Sequence, residues 1–305
     1  MELHCLIRIY LYSCYLLKRL TNTIQYVFKN SAMRKLYVFF LLLCFLLPLS
    51  LHAQDEYLAG WFARVDKTKD EQPHWITPIA TTTPRLEEEF RYDQIWQTNA
   101  EGVTTDNYDG GKGLELIPFD KVEVIFNAPP YLEHNSTAKD GWGDVAFLVK
   151  YRLLSANEQH GNYILTAFLG WSVPTGSYNN GALYAIITPT IAYGKGLRDF
   201  DLQGTFGIAL PTADTNIVGR NYLWNNTFQY RVFKRVWPEV ELNSTFFQDG
   251  AHDGKKQNFV TPGVVFGRFS LWKRLGFTIG GGYQIASTHF HTSNHNGILS
   301  VRFPF

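Results

Sequence analysis

Beyond residue 84 the chain is built from segments in which apolar and polar residues alternate, and the connections between them are long and short in strict turn. Twelve such segments are predicted, at roughly 85–97, 112–117, 121–128, 142–154, 161–173, 184–194, 199–210, 222–233, 238–247, 258–269, 274–286 and 296–305. The connections run about 14, 3, 13, 6, 10, 4, 11, 4, 10, 4 and 9 residues. Alternation with period two gives a strand two unlike faces. A soluble sandwich has no reason to keep a long-short rhythm through eleven connections. A barrel in a bacterial outer membrane does, because its periplasmic turns are short and its outer loops long. The expected fold is therefore all-β, an antiparallel transmembrane β-barrel of about 12 strands, outer-membrane type, over residues 85–305.

Segment lengths agree with this reading. Strands of about ten to thirteen residues are long for a soluble sheet and suit a tilted crossing of hydrocarbon. No apolar run of eighteen or more follows residue 53, so helical spans are not expected. Aromatic residues make up 16% of the chain. Those near strand ends, such as Tyr151, Trp171, Trp237, Trp272 and Phe305, suit the interfacial girdles that face outer-membrane lipid. Leu299, Val301, Phe303 and Phe305 alternate with Ser300 and Arg302 in the closing strand. This aromatic-ended pattern is expected to be the assembly signal presented to the barrel-insertion machinery.

Energetics select the faces. A basic residue facing lipid at mid-membrane costs about 2 to 4 kcal/mol. In the segment 143–153, Val145, Phe147, Val149, Tyr151 and Leu153 therefore face lipid, while Lys150 and Arg152 face the lumen. The same argument turns Glu87, Glu89, Arg91, Thr166, Gln203, Thr205, Asn225, Gln229, Arg231, Glu239, Glu241, Asn243, Gln284 and Arg302 inward. Lys150, Arg152, Arg231, Glu239, Glu241 and Arg302 are the expected lumen and selectivity residues. Residues 258–269 show no clean face.

Residues 33–53 read as a signal peptide: Met33-Arg34-Lys35, an apolar run from Leu36 to Leu49, then a cut after Ala53. Residues 1–32 precede this second candidate start and read as a mis-called extension. Residues 54–84 are expected to form a periplasmic lead-in. All three cysteines, Cys5, Cys14 and Cys44, fall before residue 54, so neither disulfides nor a cysteine metal site are expected beyond it. Loss of residues 1–53 removes six basic and one acidic residue, leaving 22 against 26. A net charge of about −4 gives no reason to expect nucleic acid as a partner.

Three stretches carry more specific patterns: YDGGKGLELIP at 108–118, GWGDVAFLVKYRLL at 141–154 and LGWSVPTGSY at 169–178. Mechanically, Gly141 and Gly143 permit a tight re-entry from an outer loop, and Pro174 with Gly176 ends the strand before them. From about residue 85 onward the chain resembles a family of bacterial outer-membrane proteins labelled as transporters or as members of the MetA pathway of phenol degradation. The resemblance implies a barrel and passage of small hydrophobic or aromatic compounds. It carries no catalytic residues.

His289, His291 and His295 share one outer loop, and His252 lies near Asp249 and Asp253 in another. Such groups could ligate a transition metal, but hydrated loop residues are the commoner explanation, and neither metal nor cofactor is expected. An outer-membrane enzyme acting on lipid or peptide needs a positioned nucleophile and base or paired carboxylates. Asp199 and Asp201 are close in sequence, yet no Ser or His can be set beside them, and a non-enzyme is expected. Gly280-Gly281-Gly282 lacks the strand-then-helix setting of a phosphate loop and reads as a kink or close approach. Twelve strands fall between barrels filled by side chains and barrels holding a water channel. Three roles stay open: passage of a small-molecule solute, an enzyme at the rim, or a closed structural or adhesion barrel. If the lumen charges pair across the bore, a hydrophobic solute would leave sideways through the wall.

Overall fold

The computed structural model describes residues 57, 60–110 and 112–305. The expected extension and signal peptide lie outside these residues. Trp61–Phe305 forms one compact unit. It opens with helix α1 (Trp61–Asp70), after which residues 71–88 run without regular structure to the first strand.

The wall comprises β1 (Glu89–Asn99), β2 (Thr104–Tyr108), β3 (Gly113–Phe119), β4 (Val122–Asn127), β5 (Tyr131–His134), β6 (Gly141–Trp142), β7 (Val145–Ala156) and β8 (Tyr163–Val173). It continues through β9 (Ile186–Leu197), β10 (Phe200–Pro211), β11 (Arg220–Tyr230), β12 (Val236–Gln248), β13 (Lys256–Trp272), β14 (Leu275–Ala286) and β15 (Ser293–Pro304). A one-turn helix, α2 (Thr215–Val218), sits in the β10–β11 loop. Every pairing is antiparallel, and β1 pairs β15 from Glu89 opposite Pro304 to Asn99 opposite Ser293, closing the sheet on itself. Twelve strands make the circuit: β1, β3, β4 and β7 through β15.

The three shorter strands complete their neighbours. β1 pairs β3 over Glu89–Arg91 and β2 over Gln94–Thr98, so β2 and β3 are two halves of one wall position. β5 stands above β4 in the same way, paired to β2, and β6 stands above β7. The expected second strand was the shortest of the twelve because the chain breaks there. Short connections, such as 198–199 and 273–274, turn on non-glycine residues in the left-handed region, with φ of 57° at Arg198 and 42° at Lys273.

The faces follow the alternation. Tyr151, Leu169, Phe206, Trp224, Tyr230 and Tyr283 are exposed on the outside, whereas Lys150, Arg152, Gln203, Glu241 and Arg302 are buried within. The interior is therefore polar: Arg85, Arg91, Arg302 and Lys150 are the largest fully buried side chains. Two small apolar clusters interrupt it, Ile76, Ile79, Trp237, Val265 and Ile298 in one, Val65, Leu86 and Ile117 in the other.

Two particulars differ from the sequence reading, and a third, the missing face of β13, is explained. Wall pairing begins at Glu89, and residues 85–88 belong to the segment before it. Trp237 faces the lumen, 6% exposed, where it packs on Ile76 and Ile79 instead of joining a girdle. β13 lacks a clean face because Phe259 and Val265 point inward beside Thr261, and because its register shifts between Phe266 and Phe269, so outward residues there fall three apart and the alternation changes phase.

Candidate functional site: a plugged lumen beside a broken wall

Residues 71–88 thread the barrel and are held chiefly by their main chain. Three prolines and no alternation leave this segment unable to donate a full ladder, so its backbone groups need partners from the wall. Inward charges supply them. Glu241 accepts hydrogen bonds from the amides of Ala80 (2.7 Å) and Thr81 (2.6 Å), and Glu239 from Ile79 (3.0 Å). Arg302 donates to the carbonyls of Thr77 and Pro78, the latter at 2.6 Å. Arg91 reaches the Ile79 carbonyl while pairing Asp93 at 2.8 Å. Lys150 donates to the Arg85 carbonyl at 3.0 Å and pairs Glu123 at 2.9 Å, whose other oxygen accepts from the Glu87 amide. Thr166 donates to Pro84 and Gln203 to Ile76.

Apolar contacts set the depth of this plug. Ile79 enters a recess made by missing side chains: a Cβ at Gly263 would lie 2.6 Å from its Cδ1, and one at Gly282 3.3 Å. The glycine run at 280–282 is thus a close approach, to a plug side chain rather than to another strand. At the short-turn end, α1 lies against the rim. Lys67 pairs Asp120 (2.8 Å), Arg274 pairs Asp66 (2.6 Å), and Arg152 bonds Glu71 (2.8 Å) and the Thr68 carbonyl (2.6 Å).

Of the six expected lumen residues, Lys150, Arg152, Glu239, Glu241 and Arg302 thus all touch the plug. Arg231 does not; it follows the end of β11, exposed, and pairs Asp199 of the neighbouring β9–β10 turn at 2.7 Å. Asp201 is buried against Gln203. In the outer loops, His291 bonds Thr288 and Asn294, His252 meets Phe247 edge to face and Phe290 at a tilt, and His295 stacks on Tyr283. Among the described residues no three His, Cys, Asp or Glu groups converge as metal ligands.

The second element of the site is in the wall. β2 and β3 are separated by residues 109–112, β4 and β5 by 128–130, and β6 and β7 by 143–144, so three adjacent wall positions break together. Among the described residues, the facing breaks are bridged by the Gly143 amide donating to the Pro130 carbonyl, at 2.7 Å. An apolar hollow of about 690 Å³ opens there, lined by Tyr108, Asp109, Ala128, Pro129, Tyr131 and Trp142. Tyr131 and Trp142 meet edge to face, centroids 5.2 Å apart.

The edge of the break is braced by two of the sequence patterns acting on each other. The Asp144 carboxylate of Gly-Trp-Gly-Asp accepts from the amides of Thr175 (2.9 Å) and Gly176 (2.8 Å) of Pro-Thr-Gly, and from Ala182 (2.7 Å). Trp142 and Ser177 exchange bonds beside it, the Ser177 amide to the Trp142 carbonyl and the Trp142 amide to Ser177 Oγ, both 2.8 Å. Sequence reasoning gave these motifs local turns and did not foresee that they clasp one another.

Fold and site together define a twelve-strand outer-membrane-type barrel whose bore is filled by its own leading segment. The family described as "Putative MetA-pathway of phenol degradation" matches residues 86–283, and the chain belongs to that family. A solved structure described as an outer membrane channel from Pseudomonas putida F1 is similar in fold. The TM-score is 0.51 at 14% identity, over 75% of this chain and 99% of that one. A second structure, from work on in-meso crystallization of membrane proteins, reaches a TM-score of 0.40 at 8% identity, over 71% and 84% of the two chains, and adds nothing to the assignment. No curated protein matches.

Proposed function

We propose that this protein passes small hydrophobic or aromatic solutes across a bacterial outer membrane, and that they leave the barrel sideways through the broken wall. The observation that carries this is the pairing of a filled bore with an apolar hollow: charged side chains grip the plug, while Tyr108, Tyr131 and Trp142 line an opening at the lipid face. A water-filled route favours charged or hydrogen-bonding solutes, and an aromatic-lined gap favours apolar ones. The wording of the family description, which names phenol degradation, agrees with an aromatic cargo. The description of the similar Pseudomonas structure as a channel supports transport over catalysis.

The test fills the hollow. Ala128→Trp is expected to lower uptake of a small aromatic hydrocarbon into vesicles carrying the protein several-fold, with ion conductance unchanged. Undiminished uptake by a correctly folded Ala128→Trp barrel would remove the sideways route.

A further inference from the structure

The short turns carry a surface that the proposed transport does not use. One arc of this rim, at the β3–β4 and β7–β8 turns, is covered and charge-balanced. There Lys67 pairs Asp120, the His74 amide donates to Glu158, and the Asn157 side chain donates to the Asp70 carbonyl. The opposite arc, formed by the β9–β10, β11–β12 and β13–β14 turns, is different. Its segments touch in order: the Arg231 amide donates to Asp199 (2.7 Å), and the Gly267 amide to Arg235 (3.0 Å).

Along this arc Lys195, Arg198, Lys234, Arg235 and Lys273 are exposed, and none has a carboxylate partner among the described residues. The nearby acids are already engaged, Asp199 by Arg231 and Asp66 by Arg274. Three of the cations lie over rings on the outward side of the wall: Lys195 over Tyr163 (5.9 Å), Arg235 over Phe269 (5.4 Å) and Lys273 over Trp272 (5.1 Å). The turns also end in bare apolar side chains, with Leu197 72%, Phe233 89% and Trp272 68% exposed.

Bare apolar side chains beside a row of uncompensated cations match one environment. Apolar groups seek acyl chains, long basic side chains extend their charges to the headgroup level, and a basic cluster beside a membrane attracts anionic lipid. The short turns of an outer-membrane barrel face the periplasm. We infer that the β9–β14 arc binds anionic glycerophospholipid of the periplasmic leaflet, its cations holding headgroup phosphates while Phe233, Leu197 and Trp272 enter the acyl region. A zwitterionic lipid carries its own ammonium beside the phosphate and competes poorly for these five charges. The arc thus sets both the depth of the barrel and the lipids next to it.

The full-length barrel is reconstituted in vesicles containing brominated phosphatidylglycerol or brominated phosphatidylcholine at equal fraction. The readout is quenching of the tryptophan fluorescence that is lost in Trp272→Phe. The expected result is at least threefold stronger quenching by the anionic lipid, falling to parity when Lys195, Arg198, Lys234, Arg235 and Lys273 are all changed to Gln. Should that variant fail to fold, wild-type protein in 0.5 M salt serves instead, where screening is expected to remove more than half of the preference. Equal quenching by the two lipids at low salt overturns the inference, as does a preference that survives both charge removal and salt. Stronger quenching by brominated lipid A than by phosphatidylglycerol would assign the cations to the other leaflet and overturn it equally.

Discussion

Glu241 is the point at which the plug is most directly held, and its removal sets a measurable free energy. Its carboxylate is fully buried and accepts two main-chain hydrogen bonds, from Ala80 and Thr81, with the Thr227 hydroxyl 3.2 Å away. A hydrogen bond to a charged acceptor contributes about 1.5 to 3 kcal/mol. Glu241→Ala therefore removes about 3 to 6 kcal/mol from the docked plug. Water entering the vacated space and pairing the two amides returns part of this, leaving about 3 kcal/mol. At about 1.4 kcal/mol per tenfold, the population with the plug displaced rises about 100-fold. All three native cysteines precede residue 45, so a thiol at buried Thr81 can be followed alone in the barrel. When redocking is faster than labelling, the rate at which a membrane-impermeant maleimide modifies Thr81→Cys reports the displaced population. The Glu241→Ala background is expected to raise that rate about 100-fold, and Glu241→Gln, which keeps one acceptor oxygen, about tenfold. A rate within threefold of the parent, in a barrel that still migrates as a folded species before boiling, would refute the view that wall carboxylates hold the plug.

Other consequences are open to similarly direct measurement. Gly263→Val places carbon where Ile79 now sits and should cost about 1 to 3 kcal/mol by overpacking; the same thiol assay should register about a tenfold faster rate. Deleting Phe305, whose amide donates to the Glu88 carbonyl at 3.1 Å, should reduce accumulation of heat-modifiable barrel in outer-membrane fractions several-fold. Normal amounts would count against its role as an assembly signal. Arg274, by hydrogen bonding Asp66 outside the spanning strands, holds that carboxyl below its ordinary value of 3.8. Its contribution is present above pH 3.8 and lost as pH falls through the lower folded value. For so exposed a pair the effect at neutral pH is about 0.5 kcal/mol. Asp66→Asn should lower thermal stability slightly at pH 7, and by less as the pH falls below 3.8; a constant difference down to pH 2 would refute the assignment.

The wall was legible because lipid and lumen impose opposite demands on alternate residues. Lys150 and Arg152 cannot face hydrocarbon, and that alone orients β7 and, through pairing, its neighbours. The reading lost its grip where the alternation did. Inward Phe259 and Val265, with the bulge after Phe266, hide the faces of β13, and Trp237 looks like any interfacial aromatic until Ile76 and Ile79 are seen against it. The plug itself left little trace, since residues 71–88 are irregular and their partners are wall side chains far away in sequence. The available signal was a lumen with buried charges of both signs, which require partners. The wall breaks were written in the chain as Asp109-Gly110-Gly111, Pro129-Pro130 and Gly143-Asp144, each an ordinary turn when taken singly. Only the β-pairing register places them side by side.

The way the wall holds its plug also bears on how far related sequences can diverge. Glu241 and Glu239 bind amides, which every residue other than proline offers, and Arg302, Arg91, Lys150 and Thr166 bind carbonyls, which every residue offers, Pro78 and Pro84 among them. Such recognition constrains the strands tightly and leaves most plug side chains free to drift, apart from an anchor such as Ile79. A lineage could rewrite this insert while keeping the bore sealed, and the resulting record would be blank before the wall and readable after it. The family match begins at residue 86, three residues before the first wall strand.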